Sequence, residues 1–160
     1  MSLPRPLRTL RNAMLPGGSR ADVVLDGETV AQVVAPWTAP MTHADLDLTG
    51  YVLLTAAADP HAHLDKSRTW DLISPAFGDL PTAVAQYAEY ADAETRESIA
   101  DRARTTALDM LAHGVTAVRS HANFLSGEDP LRGIDALLQV RDELRDLMDI
   151  RSEERRVGKE

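Results

Sequence analysis

The sequence contains no cysteine. That excludes a disulfide framework and any thiolate metal site. Aromatic residues make up only 4% of the chain, too few for the stacking platforms that hold single-stranded nucleic acid. Basic residues are outnumbered 17 to 25 by acidic ones, giving a net charge of -8. A field of that sign repels nucleic acid and anionic membrane surfaces. No apolar run approaches the roughly 18 residues of a membrane span. The arginine-bearing N-terminus lacks the apolar core of a signal peptide. The expectation is a cytoplasmic globular protein of 160 residues, long enough to bury a real core.

The first fifty residues read as a small β unit. Leu7–Leu15 and Ala21–Leu25 are strand-like, and Asp26-Gly27 predicts a two-residue hairpin turn with positive φ at both positions. Glu28–Ala35 is the expected return strand, and Asp45-Leu46-Asp47-Leu48 alternates as one more. His43 falls in the loop between them. After residue 50 the pattern changes. Tyr51–Ala58 has the bulk of a buried parallel strand. A long loop with Trp70, Pro75, Phe77 and Gly78 follows. Asp79 and Pro81 then open a helix with Val84, Tyr87 and Ala91 on its apolar stripe.

A second helix is predicted over Ala93–His113, with Ile99, Ala103, Met110 and Leu111 on one face and Gly114 as its stop. His113 suits the negative end of that helix. Val115–His121 reads as a second buried strand. Asp129-Pro130 opens a third helix, with Leu131, Ile134, Leu137, Leu138, Leu144 and Met148 facing inward. Strands alternating with helices predict βαβ units and a parallel sheet.

The chemistry concentrates in Asp59-Pro60-His61-Ala62-His63-Leu64-Asp65-Lys66. Side chains alternate along a strand, so His61 and His63 share a face if the strand continues through them, and Asp59 and Asp65 could share it too. Two imidazoles one pleat apart can reach a single zinc or iron ion. They sit at the C-terminal end of the first predicted parallel strand, where α/β folds place their active sites.

With the stretch from Ala112 to His121, this segment resembles the amidohydrolase superfamily, and more closely its cytosine-deaminase-like branch. The resemblance covers about residues 7–150. It departs at the strand start, where the family commonly has Pro-Gly-aromatic and this chain has Leu54-Thr55-Ala56-Ala57-Ala58. The resemblance implies a partial TIM-like (β/α)8 barrel over 51–150, preceded by part of a small β sandwich over 1–50. It implies one divalent metal ion, zinc or iron, with His61 and His63 as its first two ligands. The third His, the Asp ligand and the proton-transferring Glu and His of the family lie on later strands, so the general acid and base are not assigned here. Asp65, Lys66 and His121 are implied to lie near the pocket or to support the ligands. The implied reaction is hydrolysis of a ring C–N bond, with loss of ammonia from cytosine or a related amino-heterocycle. The implied partner is that small molecule, and the complete enzyme could be a homo-oligomer.

Two other readings stand beside this one. The run from His61 to Asp65 matches five of the six positions of the metallo-β-lactamase motif His-x-His-x-Asp-His, but Lys66 cannot be the last ligand. Alternatively the helices serve a non-enzymatic interaction module. The deaminases that use Pro-Cys-x-x-Cys are excluded by the missing cysteine. Finally, Arg151–Glu160 carries a single bulky apolar residue, Val157, where a third core strand is due after Ile150. This reads as a non-native charged tail that ends the fragment, expected to be exposed rather than paired as a central strand.

Overall fold

The computed structural model describes residues 6–73 and 79–155 of the chain. It divides into two units, Met1–Thr55 and Ala56–Glu160.

The first unit is a four-stranded sheet of β1 (Thr9–Met14), β2 (Arg20–Asp26), β3 (Thr29–Val34) and β4 (Asp45–Asp47), in the order β3-β2-β1-β4. β1, β2 and β3 run antiparallel in sequence, and β4 lies parallel to β1. The hairpin differs by one residue from the expected one. Asp26 pairs with Thr29, so the loop is Gly27-Glu28. Only Gly27 has a positive φ, at 59°, which suits a turn with glycine at its first central position. Arg11, almost fully buried, ties the unit together. Its guanidinium bonds Asp22 at 3.1 Å, Asp45 at 2.6 Å and the carbonyl of Ala39 at 3.1 Å.

Tyr51–Leu54 does not form the buried barrel strand expected over 51–58. Leu53 donates its N–H to the carbonyl of Met14 at 2.8 Å, and Val52 bridges Met14 in parallel. The apolar run is thus taken up alongside β1, with Tyr51, Val52 and Leu54 exposed. The strand that follows starts six residues later, at Ala57.

The second unit is α/β. Its strands β5 (Ala57–Ala62), β6 (Val115–Asn123) and β7 (Asp149–Arg155) form a parallel sheet in the order β5-β6-β7. Among the described residues, four α-helices lie between the strands: α1 (Trp70–Ile73), α2 (Leu80–Ala91), α3 (Arg96–Ala112) and α4 (Arg132–Leu144). Pro75, Phe77 and Gly78 of the expected loop lie outside the described residues. α2 starts with Pro81 in its first turn, as its sequence predicts. α3 begins three residues later than expected, because Thr95 caps it by accepting the N–H of Ser98. Gly114 ends it at a φ of 86°, a conformation that favours glycine.

The core lies between the sheet and the helices α3 and α4. Ile99, Ala103 and Ala107 from α3 and Ile134, Leu137 and Val140 from α4 meet Val118 and Ile150 from the strands. Burying each larger aliphatic side chain contributes about 1.5–3 kcal/mol. This parallel β/α order is not the sandwich that the metallo-β-lactamase reading required.

β7 takes up the first half of the charged tail, at the edge of the described sheet and not as a central strand. Residues 151–155 do join the sheet, paired in register with β6 from Ala117↔Asp149 to Asn123↔Arg155. β7 is an edge strand among the described residues, and Arg151 and Glu153 stay exposed. Edge pairing needs only the backbone, so the charges of Arg151 and Glu153 remain in water. Residues 156–160 lie outside the described residues.

Candidate metal centre and pocket

β5 is an unusual strand for local reasons. Pro60 has no N–H to donate, and the register with β6 shifts between Asp59 and Ala62. The Asp59 carboxylate accepts the N–H of His61 at 2.9 Å across this irregularity. β5 ends at Ala62, and His63 precedes a 3-10 turn, Leu64–Lys66. That turn is fixed to β6 twice. Ser120, fully buried, accepts the N–H of Leu64 at 3.1 Å, and Asp65 Oδ2 accepts the N–H of Asn123 at 3.2 Å.

Three imidazoles gather where β5 and β6 end. The rings of His61 and His63 lie 5.3 Å apart, centroid to centroid and nearly perpendicular. The ring of His121 lies 4.3 Å from His61 and 5.7 Å from His63. The expected side-by-side placement of His61 and His63 is therefore present, although the strand stops between them. His121 belongs to the same cluster rather than to its surroundings. The signal for it was available: it occupies the polar end of the second parallel strand, one residue past Ser120, which pairs with Ala62.

The electrostatics favour the neutral form of His63. Burial lowers the pKa of His63, and the charges of Lys66, His61 and His121 lower it further, against a backbone hydrogen bond with His121 that raises it. An unprotonated ring nitrogen is the form a metal accepts. Imidazole donors suit zinc or iron. Among the described residues, no group of three or more His, Asp or Glu side chains is placed to hold a metal ion. The imidazoles are donors of a kind a metal accepts, but on their own they do not complete a site.

Asp65 is 2% exposed, and it is not on the shared strand face that the sequence suggested. Its Oδ1 has no hydrogen-bond partner among the described residues and lies 3.8 Å from His63 Nδ1. Burial raises its pKa, opposed by the charge of Lys66 and the N–H of Asn123. Lys66 places its ammonium 5.6 Å from the centre of the Tyr87 ring. Tyr87 in turn donates to Glu94 at 3.1 Å, and Glu94 pairs with Arg102. Burial, followed by the nearby Glu94 and Asp65 charges, pushes the Tyr87 phenol up, so it stays protonated. Arg102 also donates to the carbonyls of Ser67 at 3.0 Å and Asp65 at 3.3 Å. The network clamps the turn after His63 against α2 and α3.

Beside His63 lies a cavity of about 400 Å³. Ile73, Leu80, Val84 and the Tyr87 ring make its apolar walls, and His63, Lys66, Thr69 and Asn123 bring polar atoms to it. His43 is exposed in a loop of the first unit, and His113 bonds the carbonyl of Asp109 at the end of α3. Neither joins the cluster.

No helix among the described residues is long and apolar enough to cross a membrane. No protein-family model matches the chain. A pterin deaminase from Rhizobium rhizogenes is 26% identical over 133 residues, covering 81% of this chain and 30% of that protein. The crystal structure of 5-methylcytosine deaminase from Klebsiella pneumoniae, liganded with phosphonocytosine, superposes with a TM-score of 0.76 at 22% identity. That match covers 90% of this chain and 35% of the deaminase. Atrazine chlorohydrolase from Arthrobacter aurescens, complexed with zinc, gives a TM-score of 0.70 at 16% identity, over 92% of this chain and 35% of that one. The chain thus spans about a third of the length of the proteins it matches. It is similar, in sequence and in fold, to the cytosine-deaminase-like members of the amidohydrolase superfamily.

Proposed function

We propose that this chain carries the first metal-binding element of a hydrolase that removes ammonia from an amino-heterocycle such as cytosine or a pterin. The single observation that carries the reading is the pair His61 and His63 at the C-terminal end of β5, next to a cavity of about 400 Å³. Proteins named as deaminases of pterin and 5-methylcytosine are similar to it in sequence or in fold over about a third of their own length. In this reading β5, β6 and β7 with their helices are the opening units of a TIM-like barrel, and residues 1–55 are part of a β sandwich.

His61 and His63 would hold the ion, zinc or iron, through neutral imidazole nitrogens. A divalent ion held there supplies hydroxide at neutral pH, by lowering the pKa of bound water from 15.7 to about 7. The chain's own residues handle the ring. Ile73, Val84 and the Tyr87 ring would offer an apolar side to a planar heterocycle. Asn123 and Lys66 reach its polar edge, and Lys66 favours an oxo or anionic group there.

A catalytic zinc takes about three protein ligands and a water. We therefore infer that the 160-residue chain binds metal but does not turn over by itself. Ammonia release from cytosine, 5-methylcytosine and pterin by the zinc-loaded chain is expected to equal that of a His61→Ala control. Metal-dependent release above the control overturns this. The gene product at the length of its relatives is expected to release ammonia from one of the three, and to lose that activity on His61→Ala. Retained activity in that variant contradicts the assignment.

A further inference from the structure

We propose that Asp65 is the positioning residue of the site: it holds the His63 ring by Nδ1 and so presents Nε2 as the metal-binding atom. The proposal rests on the reading of His63 as a ligand and deepens it.

The observation is a buried carboxylate oxygen with nothing to bond. Asp65 is 2% exposed, and its Oδ2 is used by the N–H of Asn123. Its Oδ1 is buried without a partner among the described residues. A buried acceptor left unmade costs about 1–3 kcal/mol, and more when it is charged. A folded protein retains such an atom where it has a task. The side-chain polar atom near it is His63 Nδ1, at 3.8 Å, and the backbone N–H groups of Lys66 and of Asp65 itself also act on the carboxylate. The separation from His63 Nδ1 is longer than a hydrogen bond, and a rotation of the partly exposed His63 ring closes it.

The backbone explains why Asp65 can direct the ring without moving itself. It sits in the turn Leu64–Lys66, whose N–H at Leu64 is held by Ser120 and whose carbonyl at Asp65 is held by Arg102. The carboxylate is thus a fixed point and the imidazole the adjustable one. An imidazole carries one proton when neutral. An acceptor at Nδ1 selects the Nδ1–H form and leaves the Nε2 lone pair free. A carboxylate behind a ligating histidine also raises its basicity, and losing such a partner costs about 10–100-fold in metal affinity. The rival for the same proton is the backbone of His121, which also bonds the His63 ring.

The test reads the tautomer, which a merely structural role of Asp65 does not move. Nitrogen-15 histidine spectra of the metal-free chain are expected to show His63 as Nδ1–H. In Asp65→Ala and Asp65→Asn, the Nδ1–H population is expected to fall, with zinc affinity about 10–100-fold lower. The wild-type spectrum needs no substitution, so it decides even if both variants unfold. His63 as Nε2–H in the wild type overturns the proposal. So does an unchanged tautomer in a folded Asp65→Ala chain, which gives the proton to the His121 backbone. Failure of the ligand reading itself shows differently, as zinc binding that survives His63→Ala.

Discussion

Replacing Arg102 by Met should destabilise the second unit by about 3–5 kcal/mol, the usual consequence of leaving one member of a buried ion pair alone. The Glu94 side chain is 0% exposed and that of Arg102 11%, so water cannot take over the lost pairing. Burial already raises the pKa of Glu94, and the Arg102 charge is the strongest influence opposing it. Arg102 also holds Ser98 Oγ at 2.7 Å and the carbonyls of Ser67 and Asp65. All the helices of the described chain lie in this unit, so helical ellipticity during urea unfolding reports it. With a slope of about 2 kcal/mol/M, the midpoint should fall by roughly 1.5–2.5 M. Adding Glu94→Gln removes the stranded charge and keeps an acceptor for the Tyr87 hydroxyl. The double variant should recover to within about 1–2 kcal/mol of wild type. A single variant that loses under about 1 kcal/mol, or a double variant no better than the single, refutes the account of the clamp.

Two further outcomes follow from other contacts. The Asp45 carboxyl is raised by its burial but pulled down further by Thr42 and Arg11, to about 2 from an ordinary 3.8. A depressed carboxylate stabilises the fold above its unfolded pKa and loses that contribution as pH falls through the folded value. The shift corresponds to about 2.5 kcal/mol at neutral pH. Asp45→Asn should remove about that much from the first unit at pH 7 and flatten its loss of stability between about pH 5 and pH 2, read by Trp37 fluorescence. Ser120→Ala removes the acceptor of the buried Leu64 N–H and should cost about 1–3 kcal/mol by urea unfolding.

What could be read from the sequence was mostly local. The helix ends at Pro81 and Gly114 and the strand that starts at Val115 are signalled by neighbouring residues, and the structure has them, with the strand running two residues beyond His121, to Asn123. The helix stripes are largely as read, although Val84 and Leu131 of those stripes are exposed. The pairing of His61 with His63 follows from strand alternation and survives the end of the strand at Ala62. The misplaced features depend on partners far along the chain. Tyr51–Leu54 looks like a barrel strand until Met14 claims its hydrogen bonds. The charged residues after Ile150 look unfit for a sheet until β6 pairs with their backbone while Arg151 and Glu153 stay in water. His121 enters the cluster only through the parallel register of β5 and β6, and the Tyr87, Glu94 and Arg102 network joins residues that no local pattern connects.

The most direct test of the central claim is zinc titration by calorimetry of the wild-type chain and three single variants. His61→Ala and His63→Ala remove the two proposed ligands, and His43→Ala removes a histidine exposed in the first unit. The account predicts one zinc site in the wild type, unchanged in His43→Ala and at least about tenfold weaker in each of the other two. Equal zinc binding by all four proteins contradicts it.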